Sequence, residues 1–429
     1  MEKKHQKNII LFVGKAYGHM VQAIRDYEKS SKRKFRIALL LDQKVKQPPG
    51  ADTFADFIIT CDTSSPLAIQ KALLPYQEDI LVATCRGEDQ IMLFAKIIPH
   101  IPYIKAPTSE SLVWASDKIW MRRRLYAFNK KISPAYTLVS DTSPESIDKI
   151  EKKVGYPLIV KPTGLAASRL VTICYHRQEL EKVLKLVFKK INQVYKQTGG
   201  SGEPKVLVEQ FMEGEMYSID GYVTSRGKVY FCPMVHVKTG RAIGFDDFFG
   251  YQQITPTLLK KESIEAAEKV ARQAVQALAL RSTTAHVELM KTENGWKIIE
   301  LGARIGGFRH MMYDFSYGIN HTVNDILIRI PEKPIISKKI KGYTAAMKFF
   351  AKKEGKLIKL AGLKRAQELE SFKKLYLNKK LGDVCAFAKN GGGSVFNIIL
   401  FNAERSKLLA DIRRLEQMIE ITTKSSRAK

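Results

Sequence analysis

The sequence predicts a multidomain protein of mixed α/β and α+β class, on three observations. The first third alternates short apolar runs with helix-like stretches, the pattern of a parallel sheet with crossover helices. From about residue 155 the pattern changes to strands joined by loops and short turns. Beyond about 335 a lysine-rich segment supplies short strands and a final amphipathic helix. A chain of 429 residues is long enough for several domains and a large core.

The apolar runs NIILFV (8–13), FRIALLLD (35–42), FADFIIT (54–60) and DILVAT (79–84) have strand length. Helix-like AYGHMVQAIRDYEKSSK and GEDQIMLFAKIIP lie between and after them. The first turn reads GKAYG, a plain tight turn without the G-x-G-x-x-G dinucleotide fingerprint. SDKIWMRRRLYAFNKK (116–131) predicts a helix, and GYPLIVKPTGLAASRLVTIC (155–174) a strand, a polar loop and a strand. An amphipathic helix follows, then a GGSGEP linker at 199–204. KVLVEQF (205–211) and YSIDGYVTSRGKVYFCPMVHV (217–237) read as strands, the latter with an Arg-Gly turn. KESIEAAEKVARQAVQALAL (261–280) reads as a helix and HVELMKTENGWKIIEL (286–301) as a hairpin around Asn-Gly. GGGS at 391–394 is a turn signal.

Composition narrows the function. Hydrophobic residues make up 45% and charged residues 27%, ordinary for a globular protein. Five scattered cysteines give neither a disulfide framework nor zinc-ligand spacing, which fits a reducing setting. No stretch approaches the roughly 20 apolar residues of a membrane span, and NIILFV is too short for a signal-peptide core. A soluble cytoplasmic protein is expected. The net charge of +28 comes from lysines spread along the chain. With no basic block and no aromatic–basic motif, a lysine-rich solvated surface is expected rather than a nucleic-acid partner.

The hairpin carries the chemistry. A two-residue Asn-Gly turn would set Glu288 opposite Leu301. A three-residue loop, Glu293-Asn294-Gly295 with Gly295 as a left-handed bulge, sets it opposite Glu300 instead. Two carboxylates whose Cβ atoms lie about 4.5–5.5 Å apart need a positive group between them. A hard divalent cation that takes oxygen ligands and a substrate phosphate fits. A hydrated, solvent-facing pair is the alternative. Lys161 ends the run PLIV just before the small-residue loop PTGLAAS, where it can reach a phosphate. VEQFMEGE offers strand-end backbone for a purine, and Glu215 offers a carboxylate for ribose hydroxyls. Arg304 in IIELGARIGG is the fork-shaped cation suited to a carboxylate or acyl phosphate.

Taken together in this order and spacing, PLIVKP, VEQFMEGEMYSIDG, HVEL and IIELGARIGG make the chain resemble the ATP-grasp superfamily, and within it the carboxylate–amine ligases. The resemblance covers about residues 8–335. It implies an ATP-grasp fold: an N-terminal Rossmann-like parallel-sheet domain (1–115), an ATP-grasp domain (116–335) whose two α+β subdomains clamp ATP, and a small C-terminal α+β domain (336–429). The nucleotide lid would span about 130–208 and the catalytic subdomain about 209–335. It further implies that Lys118 and Lys161 bind phosphates, and that Glu209 with the backbone of Phe211 and Met212 holds adenine. Glu215 would hold the ribose, Glu288 and Glu300 would ligate Mg²⁺ or Mn²⁺, and Arg304 would grip the substrate carboxylate. Lys238 and Arg241 match a further phosphate contact loosely. A homodimer is the default expectation.

The sequence departs from the family pattern at three places. Gly302 stands where many members carry a metal-binding asparagine. The phosphate loop TGLAASR is poor in glycine, leaving Ser168, Arg169 and backbone N–H groups to close it. Phe308-Arg309-His310 stands where many members carry an acid, which hints at a negatively charged substrate group. His286 is expected to be a packed or supporting histidine, and Met311, Met312 and Tyr313 core or pocket wall. Residues 240–255 and 308–320 are the expected specificity wall. The reading is a ligase that forms an amide through an acyl phosphate and releases ADP and phosphate. Two alternatives stay open: a carboxylase-type or phosphoribosylamine ligase, and a nucleotide-binding protein without turnover. No biotin-carrier segment is present to complete a carboxylase.

Overall fold

A computed structural model of the chain describes residues 7–31, 33–45, 54–162, 170–198 and 206–424. The expected phosphate loop, with Ser168 and Arg169, and the 199–204 linker lie outside the described residues.

Four parallel strands come first: β1 (Ile9–Val13), β2 (Arg36–Asp42), β3 (Phe57–Cys61) and β4 (Ile80–Cys85), in the order β3-β2-β1-β4. Their near-continuous apolar sequences fit a sheet covered on both faces, by α1 (Gly18–Ser31) on one and α2 (Pro66–Leu73) and α3 (Ile91–Ile97) on the other. The order reverses between β1 and β4, so the loops leaving these two strands open a crevice at their carboxyl ends. Gly14 makes the first of those turns at φ +80°.

Helices α4 (Ser109–Ser116) and α5 (Lys118–Asn129) connect this sheet to the rest, capped by the side chains of Thr108 and Asp117. A second sheet follows in the order β5-β8-β6-β7, from β5 (Tyr136–Val139), β6 (Leu158–Pro162), β7 (Thr172–Cys174) and β8 (Val206–Gln210). Helices α6 (Pro144–Lys153) and α7 (Arg177–Thr198) cover it with a core of their own, built on Ile147, Ile150, Leu180 and Leu184.

The third sheet has nine strands. It begins with β9 (Glu215–Val223), β10 (Val229–Phe231), β11 (Val235–Thr239) and β12 (Gly250–Thr255). After α8 (Lys261–Ala277) come β13 (Thr283–Thr292) and β14 (Gly295–Gly302), then α9 (Arg309–Tyr317) and α10 (His321–Leu327). The chain ends with β15 (Tyr343–Phe349), β16 (Gly355–Ala361), α11 (Leu363–Gln367), β17 (Phe372–Leu377), β18 (Val384–Cys385), β19 (Phe396–Asn402), α12 (Arg405–Met418) and β20 (Glu420–Lys424). The large sheet runs β14-β13-β9-β11-β12-β15-β19-β17 with β10 beside β9, while β16, β18 and β20 form a small sheet. A boundary at 335 therefore cuts through one sheet, because β15 pairs antiparallel with β12, Gln253 facing Ala346. A single apolar cluster joins the first sheet, α4 and α5 to β13 and β14, which seats the β1 and β4 loops over the hairpin. Among the described residues no helix is long and apolar enough to cross a membrane.

Gly214 makes the hinge from β8 to β9 at φ +148°, and a Cβ there would lie 2.1 Å from the Lys291 carbonyl oxygen. Both the backbone conformation and the clash resist a side chain. Gly214→Ala is expected to destabilise the protein by at least ~1–3 kcal/mol. A lowered urea-unfolding midpoint checks this, and an unchanged midpoint would contradict it.

Candidate active site

One cleft of about 1270 Å³ lies between the three larger sheets. Lys118, Lys161, Glu209, Phe211, Met212, Glu215, Lys238, Glu288, Glu300 and Arg304 all line it. Ser168 falls outside the described residues.

In the hairpin, Glu288 faces Glu300. The expected source of that register needs correction. Thr292 pairs with Gly295 across Glu293-Asn294, and the one-residue shift falls further along, where Ile299 is passed over between Leu289↔Ile298 and Glu288↔Glu300. Gly295 does adopt positive φ, +93°. The bulge at Ile299 is held from outside: the buried Arg122 of α5 donates to the carbonyls of Ile298 (3.2 Å) and Ile299 (2.6 Å). The same guanidinium grips both oxygens of Glu209, and Lys161 donates to Glu209 at 2.6 Å. Burial opposes the Glu209 charge, but Arg122 and Lys161 outweigh it and hold its pKa down at about 2. The Glu209 carboxylate is thus paired with Arg122 and Lys161. The Phe211 N–H is also taken, by the Pro157 carbonyl at 3.0 Å. The Met212 N–H has no partner among the described residues.

Lys118 begins α5 and lies 3.0 Å from Glu300. Burial disfavours its charge, yet Glu300 more than compensates and raises its pKa. Glu215 starts β9, with Tyr217 donating to it at 2.9 Å, and Lys238 is exposed on β11. No cluster of three or more His, Cys, Asp or Glu suited to a metal occurs among the described residues. Two facing carboxylates fit a hard cation that completes its shell with phosphate oxygens and water.

Arg304 pairs with Glu88, which follows β4 at the crevice of the first sheet. A Cβ on Gly302 would sit 3.1 Å from the Glu88 carboxylate, so the absent side chain leaves room for this pair. Arg86 donates to the Ile305 carbonyl at 3.1 Å and steadies the same loop. Beneath it, Asp220 in mid-β9 is fully buried and accepts from the Gly306 N–H (2.9 Å), His286 Nδ1 (2.6 Å) and His321 Nε2 (2.7 Å). The Nε2 of His286 lies 3.5 Å from Glu288. A carboxylate lies at each ring nitrogen of His286; burial opposes the charged imidazole, but Asp220 and Glu288 outweigh it and raise its pKa. Glu288 in turn loses by burial and gains more from His286, Arg304 and Arg309, so its pKa falls below the ordinary value. His286 is thus a supporting residue rather than an isolated base. Met312 and Tyr313 are core.

The sequence reading missed Arg86, Glu88, Arg122, Asp220 and Lys348. Arg86 and Glu88 stood where a doubly wound sheet binds ligands, just past β4. Asp220 was a charge inside an apolar strand, rarely tolerated without partners. Of the expected specificity wall, Arg241, Ala242, Phe248, Phe249, Gly250, Gln253, Phe308 and Arg309 reach the cleft.

Residues 154–311 match the ATP-grasp domain family. The chain is 25% identical over 323 residues to the uncharacterised protein y4rH of Sinorhizobium fredii, covering 72% of this chain and 62% of that one. It is 29% identical over 206 residues to alanine–anticapsin ligase of Bacillus subtilis, covering 45% of this chain and 42% of the relative. It thus spans less than two thirds of either curated relative. The crystal structure of an L-amino acid ligase from Bacillus licheniformis superposes with a TM-score of 0.79 at 18% identity, over 98% of this chain and all of that one.

Proposed function

We propose that this chain, an ATP-grasp protein by its fold and its matched domain, is an ATP-dependent carboxylate–amine ligase. The observation that carries the reading is the facing pair Glu288 and Glu300, set among Lys118, Lys161 and Arg304 in one cleft. That arrangement suits phosphoryl transfer, where positioning and charge neutralisation do most of the catalytic work. Glu288 and Glu300 would hold Mg²⁺, which would neutralise charge on the transferring phosphoryl group. Lys118 and Lys161 would hold ATP phosphates, the Met212 N–H the adenine, and Glu215 the ribose. Glu209 serves by fixing Lys161.

Arg304 would orient the substrate carboxylate for attack on the γ-phosphorus. A carboxyl O–P bond forms, the bridging P–O bond breaks, and ADP leaves. An amine nitrogen then bonds the acyl carbon, the acyl C–O bond breaks, phosphate departs, and the ammonium proton passes to solvent. No nucleophilic side chain is needed, which agrees with a cleft lined by carboxylates and cations.

The test is phosphate release from ATP and Mg²⁺ against a panel of amino acids, dipeptides and small carboxylic acids. Release that requires one acid together with one amine is expected. ATP turnover indifferent to both would defeat the proposal, and so would tight ATP binding without turnover across the panel.

A further inference from the structure

Lys348 and Arg309 are among the cations lining the cleft that the reaction above does not use. Lys348 projects from β15, on the segment beyond 335, and lines the cleft. Its side chain makes no hydrogen bond or ion pair among the described residues; the ammonium lies 5.7 Å from the centroid of the Phe308 ring. Burial and the neighbouring Arg309 push its pKa below the usual lysine value, Arg304 adds to this, and Glu288 opposes it. Arg309 is 2% exposed. It donates to Gln253 (2.6 Å), Ser218 (2.6 Å) and the Gly307 carbonyl (3.2 Å), all neutral acceptors. Its Nε is buried without a partner among the described residues.

Among the described residues neither cation meets a carboxylate at hydrogen-bond distance: Glu88 is paired with Arg304, and Glu288, which offsets both cations in part, is paired with His286, so their charge is incompletely compensated. A bound anion would complete that compensation. The proposed ATP-phosphate contacts form a different set, with Lys118 3.0 Å from Glu300 and Lys161 2.6 Å from Glu209. Lys348 instead sits with Phe308 and Arg309, next to the loop that carries Arg304. Gln253 and Ser218 clamp the Arg309 guanidinium across β12 and β9, so it is held ready for a ligand rather than free to leave.

We propose that the acid substrate is a dicarboxylate: Arg304 takes the reacting carboxylate, and Lys348 with Arg309 takes the second. This rests on the ligase reading for the role of Arg304, but the subsite can be tested without turnover. The full-length protein is saturated with Mg²⁺ and a non-hydrolysable ATP analogue. Binding of succinate, glutarate and L-glutamate is then measured by calorimetry against the monoamides succinamate and L-glutamine. At least one diacid should bind ~10-fold or more tighter than its monoamide, the worth of one charge-assisted hydrogen bond. Lys348→Met, which keeps the apolar stem over Phe308, should abolish that preference and leave monoamide and nucleotide affinities within ~2-fold, since neither ligand meets the lost charge.

Absence of any diacid preference would overturn the proposal, as would equal weakening of diacid and monoamide. Reduced nucleotide affinity in Lys348→Met would do so too, by making Lys348 a phosphate contact. A diacid preference lost in Lys348→Met, with no phosphate release for any amine, would support the subsite while removing the ligase reading. Turnover confined to monocarboxylates would do the reverse.

Discussion

Arg304→Lys is expected to lower kcat for acid-dependent phosphate release by ~10²–10³-fold, the usual cost of removing one preorganised donor to developing charge. Lysine keeps the positive charge and can still meet Glu88, so the loop should remain in place. What it loses is the planar fork. In the structure the Arg304 Nε faces Glu88 and one terminal nitrogen donates to the Ile305 carbonyl at 3.2 Å. Donor capacity remains for a carboxylate in the cleft, and a single ammonium does not reproduce that geometry. Burial opposes the Arg304 charge, but Glu88, Glu288 and Asp220 outweigh it and raise the pKa, so the group enters the reaction charged. Nucleotide affinity should stay within ~3-fold, because the proposed phosphate contacts are Lys118 and Lys161 rather than Arg304. Steady-state phosphate release and nucleotide titration of the same variant decide it. Activity within tenfold of the parent would remove Arg304 from the reaction, and a parallel loss of nucleotide affinity would reassign it to the phosphates.

How much of this was legible beforehand depends on the range of the cause. The parallel sheet and the hairpin follow from local patterning, and their strands fall within a few residues of the apolar runs that predict them. The facing of Glu288 and Glu300 was reached through a local turn rule, yet its physical cause is a bulge at Ile299 tied down by Arg122, 177 positions earlier in the chain. Turn chemistry cannot reveal a donor so distant. The ion pair of Glu209 with Arg122 was hidden for the same reason, because the two residues lie 87 positions apart. The last segment was read as a domain of its own because the resemblance implied one. Edge pairing of β15 onto β12 is a tertiary choice that strand sequence does not encode. That choice brings Lys348 into the cleft.

Asp220 carries the second large effect, this time on folding. Its carboxylate has no exposure and joins β9 to the imidazoles of His286 and His321 and to the Gly306 N–H. Asp220→Ala leaves the His286 and His321 ring nitrogens and the Gly306 N–H without their acceptor, a loss of ~3–5 kcal/mol for one partner of a buried pair. The pH dependence follows from the two shifted groups. Burial opposes the Asp220 charge, but His286 and His321 outweigh it and hold its pKa well below the usual value. Its contribution is therefore present above the unfolded carboxylate value of about 3.9 and lost as pH falls through the lower folded value. His286 is shifted the other way, so its contribution is complete below about 6.5 and lost as pH rises through its higher folded pKa. The stability gap between parent and Asp220→Ala should be widest from about pH 4 to 6.5 and should narrow both in stronger acid and in alkali. Urea unfolding of both proteins at pH 5.5 and 9 measures it. A gap that is flat with pH would mean that His286 is neutral and that Asp220 acts only as a backbone acceptor for Gly306. Because Gly306 follows Arg304 by two residues and His286 stands beside Glu288, the same substitution should reduce phosphate release well before the protein unfolds. A variant that lost stability but kept its kcat would detach the buried network from the chemistry above it.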